Sequence, residues 1–301
     1  MNNDLIVEIK RLKQETGALV LAHNYQAVKI LDLADFRGDS LQLSIMAKEA
    51  NAPLIVFCGV KFMAETAAIL NPDSKILLPA PDAGCPMADM IDAKQLRAFK
   101  KNYPGSPVVC YVNSSVEVKA ESDICCTSSN AVKVLKSFAP EVPILFVPDR
   151  NLGNWAARQA DRKVIAWDGF CPVHQLGFSE EDVFTMREKF PGYTLLAHPE
   201  CDPLISKHAD IVMSTGGMMK WIEQGDKVII ATDNGLTNYL KHLYPHKHIE
   251  SLSDRANCKN MKKTTLEHLH DALLKQQYVV EVDSEIADKA RLSIERMLAI
   301  S

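Results

Sequence analysis

The feature that most constrains this chain is a threefold internal repeat. Three segments read as buried strands that run out into polar residues: Ala18-Leu-Val-Leu-Ala-His23-Asn-Tyr25, Pro107-Val-Val-Cys-Tyr111-Val-Asn113 and Tyr193-Thr-Leu-Leu-Ala-His198-Pro-Glu200. His23, Tyr111 and His198 stand 88 and 87 residues apart. The same register carries Gly17, Gly105 and Gly192, then Asp35, Asp123 and Asp210, then Ser40, Ser128 and Thr215. Each unit closes on a cysteine, Cys85, Cys171 or Cys258, spaced 86 and 87. Self-similarity at a fixed period marks a chain assembled from like supersecondary units.

Within each unit a further strand follows the first, as Leu54-Ile-Val-Phe, Ile144-Leu-Phe-Val and Val228-Ile-Ile-Ala. Between strands lie segments with helical apolar spacing: Ser40–Ala50, Ser128–Phe138, Ala88–Lys100, Ser179–Lys189 and Thr264–Gln276. Ser179-Glu-Glu-Asp suits a helix N-terminus. Near-continuous apolar strands alternating with helices predict small parallel sheets covered on both faces. The expected class is therefore α/β: three similar three-layer α/β/α units in a pseudo-threefold arrangement around a central active site. The units are 1–103 with an N-terminal helix (Leu5–Glu15), 104–190, and 191–301 with C-terminal helices, and no low-complexity linker separates them.

In open parallel sheets ligands bind beyond the carboxyl ends of the strands. Three units around a common axis direct His23, Asn24, Tyr25, Tyr111, Asn113, His198 and Glu200 at one cavity. Ser40, Ser128 and Thr215 fall where the second strand meets a helix, as N-caps or as anion ligands. Cys85, Cys171 and Cys258 are either buried structural thiols or a shared soft-metal site, such as three-cysteine zinc or a four-iron cluster with one open position. The other five cysteines, Cys58, Cys110, Cys125, Cys126 and Cys201, do not recur in register and read as core thiols. His174 follows Cys171 by three residues and can reach the same centre. His208, His242, His246, His248, His268 and His270 read as solvated. His23, His198, Glu200 and Tyr25 supply general acids and bases near such a metal, the alternative for each histidine being a satisfied core residue.

Composition narrows the rest. With 34 basic and 38 acidic residues the formal charge is −4, so nothing points to nucleic acid or an anionic membrane. The first residues, Met1-Asn-Asn-Asp, are acidic where a signal peptide is basic, and no run approaches the length of a membrane helix. A cytoplasmic protein with reduced cysteines is expected. No Cys-x-x-Cys occurs, which argues against a zinc ribbon, a thioredoxin-like motif or a ferredoxin run.

The ordered motifs resemble those of the quinolinate synthases, the A proteins of de novo NAD synthesis, over nearly the whole chain. They are His23-Asn-Tyr25, Gly38-Asp-Ser40-Leu, Phe62-Met-Ala-Glu65-Thr, Ala83-Gly-Cys85 and Tyr111-Val-Asn113-Ser-Ser, then Lys119-Ala-Glu-Ser-Asp, Cys125-Cys-Thr-Ser128-Ser-Asn and Pro148-Asp with Asn151-Leu-Gly. Cys171-Pro-Val-His174, His198-Pro-Glu200-Cys, Ser214-Thr215-Gly-Gly-Met and Cys258-Lys-Asn-Met-Lys complete the series.

The resemblance implies a [4Fe-4S] cluster on Cys85, Cys171 and Cys258 with one iron free as a Lewis acid. It implies condensation of iminoaspartate (iminosuccinate) with dihydroxyacetone phosphate, giving quinolinate, phosphate and two waters. By matching position, His23, Ser40, Tyr111, Val112, Asn113, Ser128, His198, Pro199, Glu200 and Thr215 hold substrate, and Tyr25, Glu200, His198 and His23 move protons. Met261 stands where longer members carry another cysteine, so the chain resembles the shorter class. An aspartate-oxidising enzyme is the implied transient supplier of iminoaspartate. Two other readings are a generic iron-sulfur hydro-lyase on another small carboxylate and a non-catalytic iron-sulfur sensor.

Overall fold

A computed structural model describes residues 2–50 and 52–300. The chain forms three four-stranded parallel sheets with one shared topology. The first contains β1 (Leu19–His23), β2 (Phe36–Gly38), β3 (Leu54–Cys58) and β4 (Lys75–Leu77), in spatial order β2-β1-β3-β4. The second repeats that order with β5 (Val108–Tyr111), β6 (Ile124–Cys126), β7 (Ile144–Val147) and β8 (Val164–Ala166). The third does so with β9 (Thr194–Ala197), β10 (Ile211–Val212), β11 (Lys227–Ala231) and β12 (His248–Ser251). Three α/β/α units are thus present, as the repeat requires. The sequence reading anticipated the first three strands of each unit and missed the fourth. Edge strands of three or four residues are too short to show a period, and His248 opens β12 rather than lying in a loop.

The recurring landmarks have local physical causes. Gly17, Gly105 and Gly192 adopt φ of +63°, +84° and +79°, the left-handed region, with open space around each. Backbone conformation, not crowding, selects glycine there. Asp35, Asp123 and Asp210 are pins for the sheets. Their carboxylates accept from the backbone N–H of Val20, Val108 and Leu195 at 2.8, 2.7 and 2.7 Å. Their own N–H groups donate to the carbonyls of the same three residues. Each aspartate ties the approach to the second strand onto the first. Asp123→Ala is expected to lower the stability of the metal-free protein by about 1–2 kcal/mol, the range for a hydrogen bond to a charged group discounted for partial exposure. A urea midpoint equal to wild type would contradict this.

Helix boundaries differ from expectation where side chains compete with the backbone. The segment after β6 becomes helical only over Ala131–Lys136. Asn130 Oδ1 accepts from the Thr127 N–H at 2.8 Å and Thr127 Oγ1 accepts from the Ser129 N–H, holding a turn where Ser128 was expected to start a helix. A short 3₁₀ turn (Ala88–Met90) precedes the helix Ala93–Lys101, which starts at an Asp92–Gln95 capping box. The N-terminal helix covers Asn2–Thr16, and Ser179 and Thr265 cap the helices Glu180–Lys189 and Leu266–Lys275.

Both faces of the sheets are buried. In the first, Val20, Ala22, Val56 and Cys58 face a cluster with Leu266, Leu269 and Leu273, while Leu21, Ile55 and Phe57 face the opposite way into the central core. That core also takes Val109, Phe146, Leu196, Val228 and Ile230, so one apolar body runs through all three units. The helix Leu266–Lys275 packs on the N-terminal helix, and the last helix, Ser284–Ile300, packs on the helix Val116–Ala120 and on β6. The chain end therefore returns to the first two units and ties them together. Among the described residues, no helix is long and apolar enough to cross a membrane.

Candidate functional site

The carboxyl ends of β1, β5 and β9 meet at one cavity. Of the residues singled out from sequence, His23, Tyr25, Ser40, Tyr111, Asn113, Ser128, His198, Glu200, Thr215, Cys85, Cys171 and Cys258 line it. Asn24, Val112 and Pro199 do not, Asn24 lining a separate groove beside Gly38 and Met219. Val112 faces a small adjoining void beside Ser40 and Phe62, and Pro199 is buried.

The hydroxyls are freer than expected. Asp39 and Ser214 are the N-caps of the helices Ser40–Glu49 and Thr215–Gln224, which leaves Ser40 and Thr215 one position inside, turned to the cavity. Around them the three units are knotted. Ser129 Oγ donates to Asp39 Oδ2 at 2.5 Å and lies 2.8 Å from Ser214 Oγ.

Two backbone contacts decide the histidine tautomers. His23 Nδ1 accepts from the Tyr25 N–H at 3.2 Å, and His198 Nδ1 accepts from the Glu200 N–H at 3.3 Å. Nε2 of each ring therefore carries the proton and donates, in His198 to Ser128 Oγ at 3.2 Å. Burial disfavours the charged rings and pulls both down to about 3. Neutral N–H donors for an acidic ligand result. Asn113 Oδ1 is buried without a protein partner among the described residues.

A second constellation was only partly legible. Tyr25 OH donates to Thr232 Oγ1 at 2.5 Å, Thr232 donates to His174 Nε2 at 2.8 Å, and His174 Nδ1 donates to Glu200 Oε2 at 2.8 Å. Tyr111 OH donates to Glu200 Oε1. All these groups are buried, and every proton in the chain has an acceptor. Burial works against the Glu200 charge, but His174, His198 and the hydrogen bonds from His174 and Tyr111 outweigh it and bring the carboxyl to about 2. Burial, with Glu200 beside them, raises the phenols of Tyr25 and Tyr111, which stay protonated. Hydroxyl, imidazole and carboxylate in this order form a triad in which the carboxylate fixes the tautomer and orientation of the imidazole.

His174 was left undecided by the sequence, and Thr232 was missed. Thr232 directly follows β11 as His198 follows β9, but neither other unit has a hydroxyl there. Asp149 and Asp233 were also missed as site residues. Asp149 caps its helix through the Leu152 N–H and accepts the Cys171 N–H at 3.1 Å; Asp233 holds the Gly235 and Cys258 N–H groups in the same way. Val60 occupies the matching place in the first unit, since Lys61, Arg150 and Asn234 donate to the carbonyls two residues before the three cysteines. The broken register hid the aspartates.

Cys85, Cys171 and Cys258 are half-buried on the cavity, whereas the other five cysteines are buried. Burial pushes the Cys85 thiol up to about 12, and raises Cys171 and Cys258 too, with Glu200 and Cys85 adding to the effect on Cys171. Thiolates here need a compensating cation. Cys171 Sγ, a His174 ring nitrogen and a Glu200 oxygen also lie within 4.8 Å of one another, but His174 and Glu200 already satisfy each other.

Fold and site together define a class: a triply repeated α/β protein with one central cavity lined by three thiols and, in contact with one of them, a buried acid–base group. A profile of the quinolinate synthetase A protein family matches residues 7–299. The chain is 49% identical to the quinolinate synthase of Methanoregula boonei over 295 residues, 97% of each chain. It is 48% identical to that of Alkaliphilus metalliredigens, covering 99% and 98%, and 46% identical to that of Thermococcus kodakarensis, covering 99% and 98%. The chain belongs to the quinolinate synthetase A protein family.

Proposed function

We propose that this protein is a quinolinate synthase of NAD biosynthesis that condenses iminoaspartate with dihydroxyacetone phosphate, releasing phosphate and two waters. The observation that carries the reading is the trio of register-matched cysteines lining the same cavity as a buried, hydrogen-bonded glutamate. Three half-buried thiols with raised proton affinity fit a soft metal centre, and Cys85, Cys171 and Cys258 would hold a [4Fe-4S] cluster. When bound, its iron without a cysteine ligand supplies a Lewis acid toward an oxygen that must leave.

The chain's own residues do the rest. Two carboxylates and a phosphate call for hydrogen-bond donors, which His23 and His198 Nε2–H, Ser40, Ser128, Thr215 and the Asn113 amide provide. The apolar walls at Val60, Phe62 and Met63 exclude water. Glu200 takes a proton from substrate while His174 holds its other oxygen, and Tyr25, held in place by Thr232, donates one to substrate. These steps serve the imine–enamine and ketose–aldose shifts that ring closure needs.

The test is anaerobic incubation of iron-reconstituted protein with enzymatically generated iminoaspartate and dihydroxyacetone phosphate. Quinolinate and phosphate are expected in equal amounts. Their absence from fully loaded protein, or product formed without dihydroxyacetone phosphate, refutes the reading.

A further inference from the structure

The triad spans two units: His174 belongs to the second and Glu200 to the third. Their contact is held from behind by two side-chain amides, those of Asn151 and Gln175. Asn151 Nδ2 donates one proton to the Glu200 carbonyl at 3.0 Å and the other to Gln175 Oε1 at 2.8 Å. Gln175 is the residue after His174 in the helix Pro172–Leu176. It reaches on to Asp202, two residues past Glu200. Asn151 is buried and does not line the cavity.

The third unit shows the same device with other chemistry. Gln175 lies four residues after Cys171, and Lys262 four after Cys258. Lys262 Nζ donates to the carbonyl of Tyr25, the first-unit counterpart of Glu200, and to Asp233 Oδ1 at 2.8 Å. The position matching Asn151 is there Gly235. A Cβ on Gly235 would stand 2.4 Å from Lys262 Nζ and 2.4 Å from the Tyr25 carbonyl oxygen. A side chain at this place is thus exchanged for a lysine that performs the same tie. Two independent solutions to holding one carbonyl indicate a requirement at that carbonyl.

We propose that Asn151, with Gln175, is a positioning residue that sets the His174–Glu200 contact and thereby the acid–base chemistry. The proposal rests on the quinolinate synthase reading. Removing the Asn151 amide leaves the Gln175–Asp202 bond as the remaining side-chain tie described behind the His174–Glu200 contact, so the Glu200 loop can shift against the thiol-bearing helix. Misplacement of a reacting group by about 1 Å costs on the order of 100-fold in rate.

Asn151→Ala, Gln175→Ala and the double variant are compared with wild type in the anaerobic assay after iron loading, with a crystal structure of Asn151→Ala. Expected for Asn151→Ala are kcat lowered about 10- to 100-fold, KM within about threefold, wild-type iron content, and a His174 Nδ1 to Glu200 Oε2 separation beyond about 3.5 Å. Gln175→Ala, which keeps the Asn151 tie to the Glu200 carbonyl, should lose less. The double variant, which keeps neither that tie nor the Gln175–Asp202 bond, should lose more than either single variant but less than the product of the two losses. An unchanged kcat, an unchanged 2.8 Å contact or strictly multiplicative losses would overturn the proposal. A wild type that makes no quinolinate refutes the parent reading instead, and the crystallographic distance still decides the role of Asn151.

Discussion

Glu200→Gln is expected to lower kcat about 10²- to 10⁴-fold, the usual contribution of a general acid–base group, while iron content stays at the wild-type level. The carboxylate accepts from Tyr111 on one oxygen and from His174 on the other. Glutamine keeps the shape but can accept on only one side. Its NH₂ must face either the phenol proton or the imidazole N–H, and no basic oxygen remains to take a proton from substrate. Because Glu200 supplies no sulfur, the thiol centre is untouched, so rate and metal content should separate. Turnover within threefold of wild type, measured as quinolinate formed per loaded chain, would remove Glu200 from the chemistry.

The larger effect is expected at Cys171. Cys171→Ala should abolish detectable turnover and reduce bound iron to near zero after reconstitution, with loss of the broad visible absorption of an iron-sulfur centre. Burial makes each of the three thiols reluctant to ionise alone, so they bind together around a cation or stay protonated. Taking one away leaves two donors for a centre that needs three. Cys201→Ala is the control, since Cys201 packs in the core of the third unit and lies off the cavity. Its iron content should match wild type. Equal iron in wild type and Cys171→Ala would end the metal reading.

Much of the site could be read along the chain because it is repeated. A residue that recurs at one register in three units sits at one place in each, so His23, Tyr25, Tyr111, Asn113, His198, Glu200, the three hydroxyls and the three cysteines could be assigned to one cavity from the sequence, and all of them line it. The same repetition left open whether Ser40 and Thr215 cap their helices; the capping group is the neighbour, Asp39 or Ser214, which leaves both hydroxyls free to bind a ligand. Repetition also covered a structural landmark. Asp35, Asp123 and Asp210 recur as regularly as the cysteines, yet they pin strands far from any chemistry. Where the units diverge, the register says nothing: Thr232, Asp149, Asp233 and the contacts of His174 fell outside it.

The amino-acid order alone therefore determined the unit, its period, its parallel strands and the identity of the side chains at each strand end, because these follow from short-range spacing and backbone preference. Only the packed molecule decided which of those side chains touch. Tyr25 meets Thr232 across 207 residues, and Tyr111 meets Glu200 across 89. Such contacts form where three units press together. The tautomers of His23 and His198 follow from backbone N–H groups two residues on, but the partners and charge of Tyr25, Tyr111, His174 and Glu200 are set by neighbours from separate units.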